Sequence, residues 1–138
     1  MPTSLELLSP AGSADIGIAA IDHGADAVYI GAPKFSARAD AGVSVSDITR
    51  LVRHAHLYYA KVYVALNTIL TDRELAESLD IIREIYQLGA DALIIQDVVA
   101  ARTIHVVIKV IDRARGGTDR GLRHRDQNHA QQRQPDQP

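Results

Sequence analysis

The chain of 138 residues contains no cysteine and no tryptophan, and it has a single phenylalanine. Without cysteine it forms no disulfide, no thiolate zinc site and no cysteine-held iron–sulfur cluster of its own. No apolar run approaches the length of a membrane span. The N-terminus also lacks the basic and apolar regions of a signal peptide. We therefore expect a cytoplasmic protein that has no membrane contact.

Several motifs that identify a reaction are also missing from the sequence. There is no H-E-x-x-H zinc motif and no G-x-S-x-G nucleophile motif. His54 and His56 are two residues apart, a spacing that points them away from each other on a helix. We expect no metal site, and residue chemistry alone does not indicate a protease. The formal net charge of −2 gives no whole-chain argument for binding nucleic acid.

One phrase occurs twice in the chain. His23–Gly31 reads H-G-A-D-A-V-Y-I-G, and Leu88–Gln96 reads L-G-A-D-A-L-I-I-Q. Each copy combines a helix end, a glycine that stops the helix and a short apolar strand, which is the joint of an αβ unit. The matching aspartates, Asp26 and Asp91, indicate a repeated structural role at the entry to a strand. The repetition predicts a fold built from β/α modules.

The hydrophobic pattern predicts the order β-α-β-α-β-α-β. Each of the three helices is predicted to begin at a polar cap. The caps are Ser13 for the first helix, Ser44 or Ser46 for the second, and a Thr71–Glu74 capping box for the third. No G-x-G-x-x-G fingerprint follows the first strand, which favours a (β/α)₈ barrel over a dinucleotide-binding sheet. A barrel needs about 250 residues, so we predict the N-terminal half of a TIM-barrel-like domain. The expected strands are Leu5–Leu8, Asp26–Ile30, Val62–Leu66 and Ala92–Ile95.

The C-terminal part of the chain departs from this pattern. Thr103–Ile111 is rich in β-branched residues, so we favour a fifth strand there over an extension of a helix after Val98. Residues 112–138 contain six arginines, four aspartates and one large apolar residue, Leu122. They cannot bury a core, and their composition resembles coding sequence read out of frame. We predict a domain over residues 1–111 and a disordered tail over 112–138; a basic, RNA-touching arm is the less favoured alternative.

Five motifs occur together in one order, and their combination resembles the peptidase U32 family, the collagenase-like proteases. The motifs are Glu6–Gly12, Gly24–Gly31, Phe35–Ala39, Val62–Thr68 and Gly89–Asp97. The resemblance implies a barrel-like β/α domain, in agreement with the pattern above. It also implies peptidase activity, or hydroxylation of tRNA, ribosomal RNA or a small molecule. Several members hold an iron–sulfur cluster on later cysteines, which are absent here, so we expect no cofactor in this chain.

The active site of a β/α barrel forms at the carboxyl ends of its strands. We expect Asn67, Gln96 and Asp97 there, together with Arg38 from the loop after the second strand, and we assign these four residues as catalytic. Arg38 offers a fork for a carboxylate or phosphate, and Asn67 can donate to a carbonyl. Asp97 acts as a base or caps the next helix. The substrate-binding candidates are Glu6, Ser9 and Ser36.

Three functions remain open on the sequence. The first is a fragment of a U32 peptidase, with RNA- or small-molecule hydroxylation as the alternative within the same family. The second is an inactive, truncated remnant. The third is a binding module that self-associates through its open sheet edges. The expected substrate is accordingly a peptide or an RNA.

Overall fold

A computed structural model describes residues 5–36 and 43–105. Four strands alternate with helices in these ranges, and a last helix (α4) begins at residue 98 and continues through residue 105. The chain divides into two compact units between Val107 and Ile108, and all described residues belong to the first unit. The other elements are β1 (Leu8–Ala11), α1 (Ala14–Asp22), β2 (Ala27–Gly31), α2 (Val45–Leu57), β3 (Lys61–Leu66), α3 (Asp72–Leu88) and β4 (Ala92–Ile95).

The first three helices begin at polar caps that the sequence predicts. Ser13 accepts a hydrogen bond from the backbone N–H of Ile16. Ser44 and Thr71 each begin a reciprocal capping box, with Asp47 and Glu74 as the respective third helical residues. These boxes satisfy backbone N–H groups that lack partners within the helix, and they therefore define where α2 and α3 start.

The four strands form one parallel sheet in the order β1-β2-β3-β4. Right-handed crossovers between consecutive parallel strands place their helices on the same face of the sheet. The packing of α2 against both α1 and α3 agrees with this single helical layer. The fold is thus α/β with consecutive parallel strands, the arrangement of half of a TIM-barrel-like domain.

The two faces of the sheet differ in burial. The face toward the helices carries fully buried side chains, including Val28, Ile30, Val62 and Val64. The opposite face, which we call the open face, carries the alternate residues of each strand. There Leu8, Tyr29 and Ile94 remain 43%, 37% and 38% exposed. Parallel sheets are normally covered on both faces, whereas in the described residues these three open-face side chains are only partly covered.

The two aspartates of the repeated phrase perform the same structural role. The Asp26 N–H donates to the carbonyl of Leu7, and the Asp26 carboxylate accepts the N–H of Leu7 at 2.8 Å. Asp91 makes the same two bonds with Val62, again with 2.8 Å to the carboxylate. Each aspartate therefore binds both backbone groups of one residue at the amino end of the neighbouring strand, Leu7 just before β1 and Val62 within β3. These bonds align the paired strands at their amino ends.

A third helix–strand joint has the same backbone geometry but a different sequence. Gly24 and Gly89 adopt φ values of +100° and +88°, and Tyr59 occupies the matching position after α2 with φ of +59°. The N–H of the next residue in each joint donates to a carbonyl five residues earlier, as Ala60 does to Ala55. Tyr59 is 96% exposed. A non-glycine residue in this conformation is strained by roughly 1–2 kcal/mol.

Two expectations about elements are wrong. The first strand is not Leu5–Leu8, because β1 runs from Leu8 to Ala11 and includes Pro10. Among the described strands β1 lies at the edge of the sheet, where proline is tolerated because a missing N–H need not break the ladder. The fifth strand is also wrong where it can be tested, because residues 103–105 belong to α4. The remainder of that segment and the disordered tail of residues 112–138 lie outside the described residues.

Candidate site at the carboxyl ends of the strands

Asn67 and Gln96 follow neighbouring strands at the same edge of the sheet. Leu66 and Ile95, the last residues of β3 and β4, are paired in register, and the two amides are the next residues along each strand. Both side chains are exposed. The fold therefore brings these two predicted site residues to one edge, where their amide groups can donate and accept hydrogen bonds.

Asp97 lies beside this pair, and its carboxylate is already engaged. Its Oδ1 accepts the N–H groups of Val99 and Ala100 at 2.8 and 3.1 Å, which makes Asp97 the cap of α4. Its Oδ2 accepts the N–H of Leu70 at 3.3 Å, in the loop after β3. The hydrogen bonds from Ala100, Leu70 and Val99, in that order, hold the pKa of Asp97 below its usual value. These bonds favour the capping alternative over a general base, since a carboxylate with a lowered pKa is a weak base.

The loop after β2 is held against the loop after β3. The Thr68 hydroxyl donates to the carbonyl of Phe35 at 3.0 Å. Phe35 is buried and adopts a left-handed φ of 61°. The Lys34 ammonium forms an ion pair with Glu77 of α3 at 2.9 Å. Together with the Asp97–Leu70 bond, these contacts link the loops after three successive strands into one rim.

Ser36 is built into this rim rather than presented to a substrate. It is buried, and its hydroxyl donates to the carbonyl of Ala32 at 3.0 Å. A Cβ at Gly31 would lie 2.8 Å from the Ser36 hydroxyl, so the close approach of this loop to β2 requires glycine at position 31. Arg38, the fourth catalytic candidate, lies outside the described residues.

Glu6 and Ser9, two of the substrate-binding candidates, lie toward the amino ends of the strands, so the structure does not bring them to the carboxyl-edge rim. Ser9 pairs in register with Val28 in the amino-terminal half of the sheet, since β1 extends beyond it. Glu6 precedes β1 and is not part of a strand. Its carboxylate binds the Lys61 ammonium at 2.6 Å and the Tyr63 hydroxyl at 2.7 Å. Glu6 therefore forms an ion pair and a hydrogen bond with two residues of β3.

The electrostatics of the Glu6 cluster follow from these hydrogen bonds. The bond from Lys61, then the bond from Tyr63, lowers the pKa of Glu6. The pKa of Lys61 and that of Tyr63 are both raised, mainly by hydrogen bonding to Glu6. Near neutral pH Glu6 is therefore ionised while Lys61 and Tyr63 keep their protons, which suits a structural cluster more than proton transfer.

The carboxyl-edge rim presents the exposed amides of Asn67 and Gln96, which can position a polar ligand. The Ser9 hydroxyl donates to the Pro10 carbonyl at 3.4 Å, and the Ser36 hydroxyl donates to the Ala32 carbonyl. Neither of these two described serines is therefore hydrogen-bonded to a histidine base. Residues 5–36 and 43–105 contain no group of three metal-ligating side chains. None of their helices is long and apolar enough to cross a membrane. The roles of Phe35, Thr68 and Leu70 in the rim have no signal in the sequence, because they depend on contacts between loops.

Comparison with known proteins shows that this chain is similar in sequence to several of them. The chain is 58% identical over 93 residues to the 23S rRNA 5-hydroxycytidine C2501 synthase of Escherichia coli, covering 67% of this chain and 14% of that protein. It is 33% identical over 91 residues to tRNA hydroxylation protein P2 of Bacillus subtilis, covering 66% and 29%. An uncharacterised protease of Methanocaldococcus jannaschii is 34% identical over 98 residues, covering 70% and 24%. No solved structure matches the chain.

The chain spans less than a third of the length of each of these relatives. The family model described as peptidase family U32 matches residues 12–113, which is most of the chain and includes three of the four strands in full. The resemblance that the five sequence motifs indicate is therefore confirmed, and this chain belongs to peptidase family U32.

Proposed function

We propose that this chain supplies the N-terminal β/α units of an RNA-hydroxylating U32 protein, whose substrate is a cytidine in ribosomal RNA. The observation that carries the proposal is the 58% identity over 93 residues to the 23S rRNA 5-hydroxycytidine synthase. The other relatives named above are at 33–34% identity over similar lengths. This ranking favours RNA hydroxylation, the alternative within the family, over proteolysis.

The geometry of the carboxyl edge supports binding of a nucleobase. Asn67 and Gln96 follow paired strand ends, and each side chain carries one acceptor and two donors on a planar amide. Proteins recognise unpaired RNA bases through hydrogen bonds to their polar edges, with such side chains as partners. We assign the two amides to orienting the base, and Arg38 to a phosphate of the same nucleotide.

Peptidase activity has less support in the described residues. A serine peptidase needs a nucleophile within hydrogen-bond reach of a base. Ser36 is buried and donates to a backbone carbonyl, and the hydroxyl of Ser9 donates to the carbonyl of Pro10. Asp97 is engaged by three backbone N–H groups. The relative described as a protease is itself uncharacterised.

The cysteine-held iron–sulfur cluster implied by the family resemblance does not fit this chain. Such a cluster is bound by thiolates, and the 138 residues contain no cysteine. We therefore assign no step of the reaction to a cluster held by these residues. The roles proposed for this chain are limited to binding and orienting the RNA.

A segment exchange tests the proposal directly. The 93-residue region of the E. coli rRNA hydroxylase that matches this chain is replaced by the corresponding residues of this chain, and 5-hydroxycytidine in 23S rRNA is measured by nucleoside mass spectrometry. We expect the chimera to retain hydroxylation in cells that lack the native enzyme. Exchange of the same segment into the E. coli tRNA hydroxylation protein, which is 34% identical over 93 residues, should impair tRNA hydroxylation.

Single substitutions in the first chimera test the assigned residues. Asn67→Ala and Gln96→Ala should each reduce 5-hydroxycytidine about 10-fold or more, since one hydrogen bond to a substrate contributes about 1.4 kcal/mol or more. Arg83→Ala is the matched control, because Arg83 lies on α3, where it pairs with Asp80. Full activity of both amide variants, or activity of the chimera on tRNA alone, would refute the proposed substrate.

A further inference from the structure

Gln96 is held in place by the residues on both sides of it. Ile95, which precedes it, belongs to β4 and pairs in register with Leu66 of β3. Asp97, which follows it, accepts backbone N–H groups from α4 and from the loop after β3. Because the peptide units on both sides are planar and both neighbours are fixed, the backbone of Gln96 has little freedom to reorient its side chain.

Asn67 occupies the equivalent position on the neighbouring strand. Leu66, which precedes it, is the last residue of β3. Thr68, which follows it, is half-buried, and its hydroxyl donates to the carbonyl of Phe35 at 3.0 Å. Threonine is branched at Cβ and has few side-chain rotamers, so this hydrogen bond also restrains the backbone of Thr68. Asn67 therefore lies between two fixed points, as Gln96 does.

The acceptor of the Thr68 hydrogen bond is itself fixed. Phe35 is buried and adopts a left-handed φ of 61°, a conformation that persists where the surrounding contacts enforce it. The N–H of Ala32 donates to the carbonyl of Ala65 in β3 at 2.9 Å, and the Ser36 hydroxyl donates to the carbonyl of Ala32. These bonds hold the loop after β2 on both sides of Phe35, so its carbonyl provides a stable anchor for the loop after β3.

We propose that Thr68 is a positioning residue, whose hydroxyl holds the Asn67 amide in the orientation that binds the substrate base. Thr68 performs for Asn67 the role that Asp97 performs for Gln96. It acts through Asn67 and needs no contact with the substrate. The assignment of the base rests on the proposed function, whereas the restraint on Asn67 is a property of this chain and is tested separately.

Substitutions in the rRNA hydroxylase chimera test this role. Thr68→Val keeps the shape of the side chain and removes the donor, and we expect it to reduce 5-hydroxycytidine about 5-fold. Thr68→Ser keeps the donor and should restore the wild-type amount. Thr49→Val is the matched control, because the hydroxyl of Thr49 on α2 is also half-buried and donates to a backbone carbonyl, that of Val45, at 2.9 Å. It should leave 5-hydroxycytidine unchanged.

The double variant of Thr68→Val with Asn67→Ala separates positioning from a general loss of structure. If Thr68 acts through Asn67, the double variant should produce as much 5-hydroxycytidine as Asn67→Ala alone, because the two effects are then not additive. A further loss of the size that Thr68→Val causes by itself would overturn the inference. An equal loss in Thr49→Val, or no recovery in Thr68→Ser, would overturn it as well.

NMR relaxation of backbone amides in the 138-residue chain tests the restraint without measuring activity. The order parameter of the Asn67 N–H should fall in Thr68→Val and keep its wild-type value in Thr68→Ser and Thr49→Val. The order parameter of Gln96 should stay the same in all three variants. An unchanged value at Asn67 in Thr68→Val would overturn the inference. A lowered value, together with a wild-type chimera that does not hydroxylate RNA, would refute the proposed function and uphold the restraint.

Discussion

Replacement of the two repeated aspartates should have unequal effects, although their hydrogen bonds are alike. Asp26→Ala removes the acceptor for the N–H of Leu7, which is exposed and can bind water instead. Asp91→Ala removes the acceptor for the N–H of Val62, a fully buried residue of β3. A hydrogen bond to a charged group contributes about 1.5–3 kcal/mol, and a buried donor without a partner bears the full desolvation cost.

We therefore expect Asp91→Ala to lower the free energy of unfolding by about 2–3 kcal/mol, and Asp26→Ala by about 1 kcal/mol. The Asp91 carboxylate also lies 3.0 Å from Nε2 of His56 on α2, so Asp91→Ala removes this contact in addition to the one with Val62. Asp91→Asn keeps one oxygen acceptor and should recover at least half of the loss.

Urea denaturation followed by circular dichroism measures these differences. The three variants should keep the slope of the wild-type transition and differ in its midpoint. Equal effects of the two alanine variants would refute the reasoning, because burial of the N–H donor would then be irrelevant. A larger effect of Asp26→Ala would refute it as well.

Three further outcomes are expected. Tyr59→Gly should stabilise the chain by roughly 1 kcal/mol by relieving the left-handed strain, whereas Gly89→Ala, at the matching joint, should destabilise it by a similar amount; thermal unfolding measures both. The lowered pKa of Asp97 means that its contribution to stability is complete above about pH 4, the unfolded value, and is lost as the pH falls through the lower folded value. Asp97→Asn should therefore lose less stability than the wild type on acidification from neutral pH, as acid titration of the melting temperature would show. Gly31→Ala should displace the Ser36 loop, since the new Cβ would lie 2.8 Å from its hydroxyl. In the rRNA hydroxylase chimera, Gly31→Ala should reduce the amount of 5-hydroxycytidine. In this chain it should lower the free energy of unfolding by no more than about 3 kcal/mol. Unchanged hydroxylation would contradict the role of this loop in shaping the site.

The sequence by itself determined the order of the first seven elements and the starts of α1 and α3, whereas the choice of Ser44 over Ser46 at α2 came from the structure. Helix caps are local: Ser13 and Thr71 bind backbone groups three residues away, so their spacing is visible in the chain. The apolar face of α2 is also periodic, and its buried residues are those that the period predicts. The repeated G-A-D phrase predicted a shared structural role, because the same local sequence forms the same helix–strand joint in both modules.

The third helix–strand joint and the bounds of β1 depended on the tertiary structure. Tyr59 takes the position of a glycine, so the phrase is absent although the backbone turn is the same. β1 begins later than expected because pairing with β2, rather than the apolar run Leu5–Leu8, determines which residues form the ladder. Residues 103–105 are helical despite their β-branched neighbours, since a β-propensity is weaker than continuation of a helix capped at Asp97.

Part of the candidate site could be predicted from the sequence, and part depended on the tertiary structure. Asn67, Gln96 and Asp97 could be placed at one edge from sequence, because the carboxyl ends of consecutive parallel strands meet there. Two hydrogen bonds of the site join residues that are far apart in sequence. Leu70 and Asp97 are 27 positions apart, and Phe35 and Thr68 are 33 positions apart. Such contacts have no local signature in the sequence, since they exist only once the sheet has brought separate loops together.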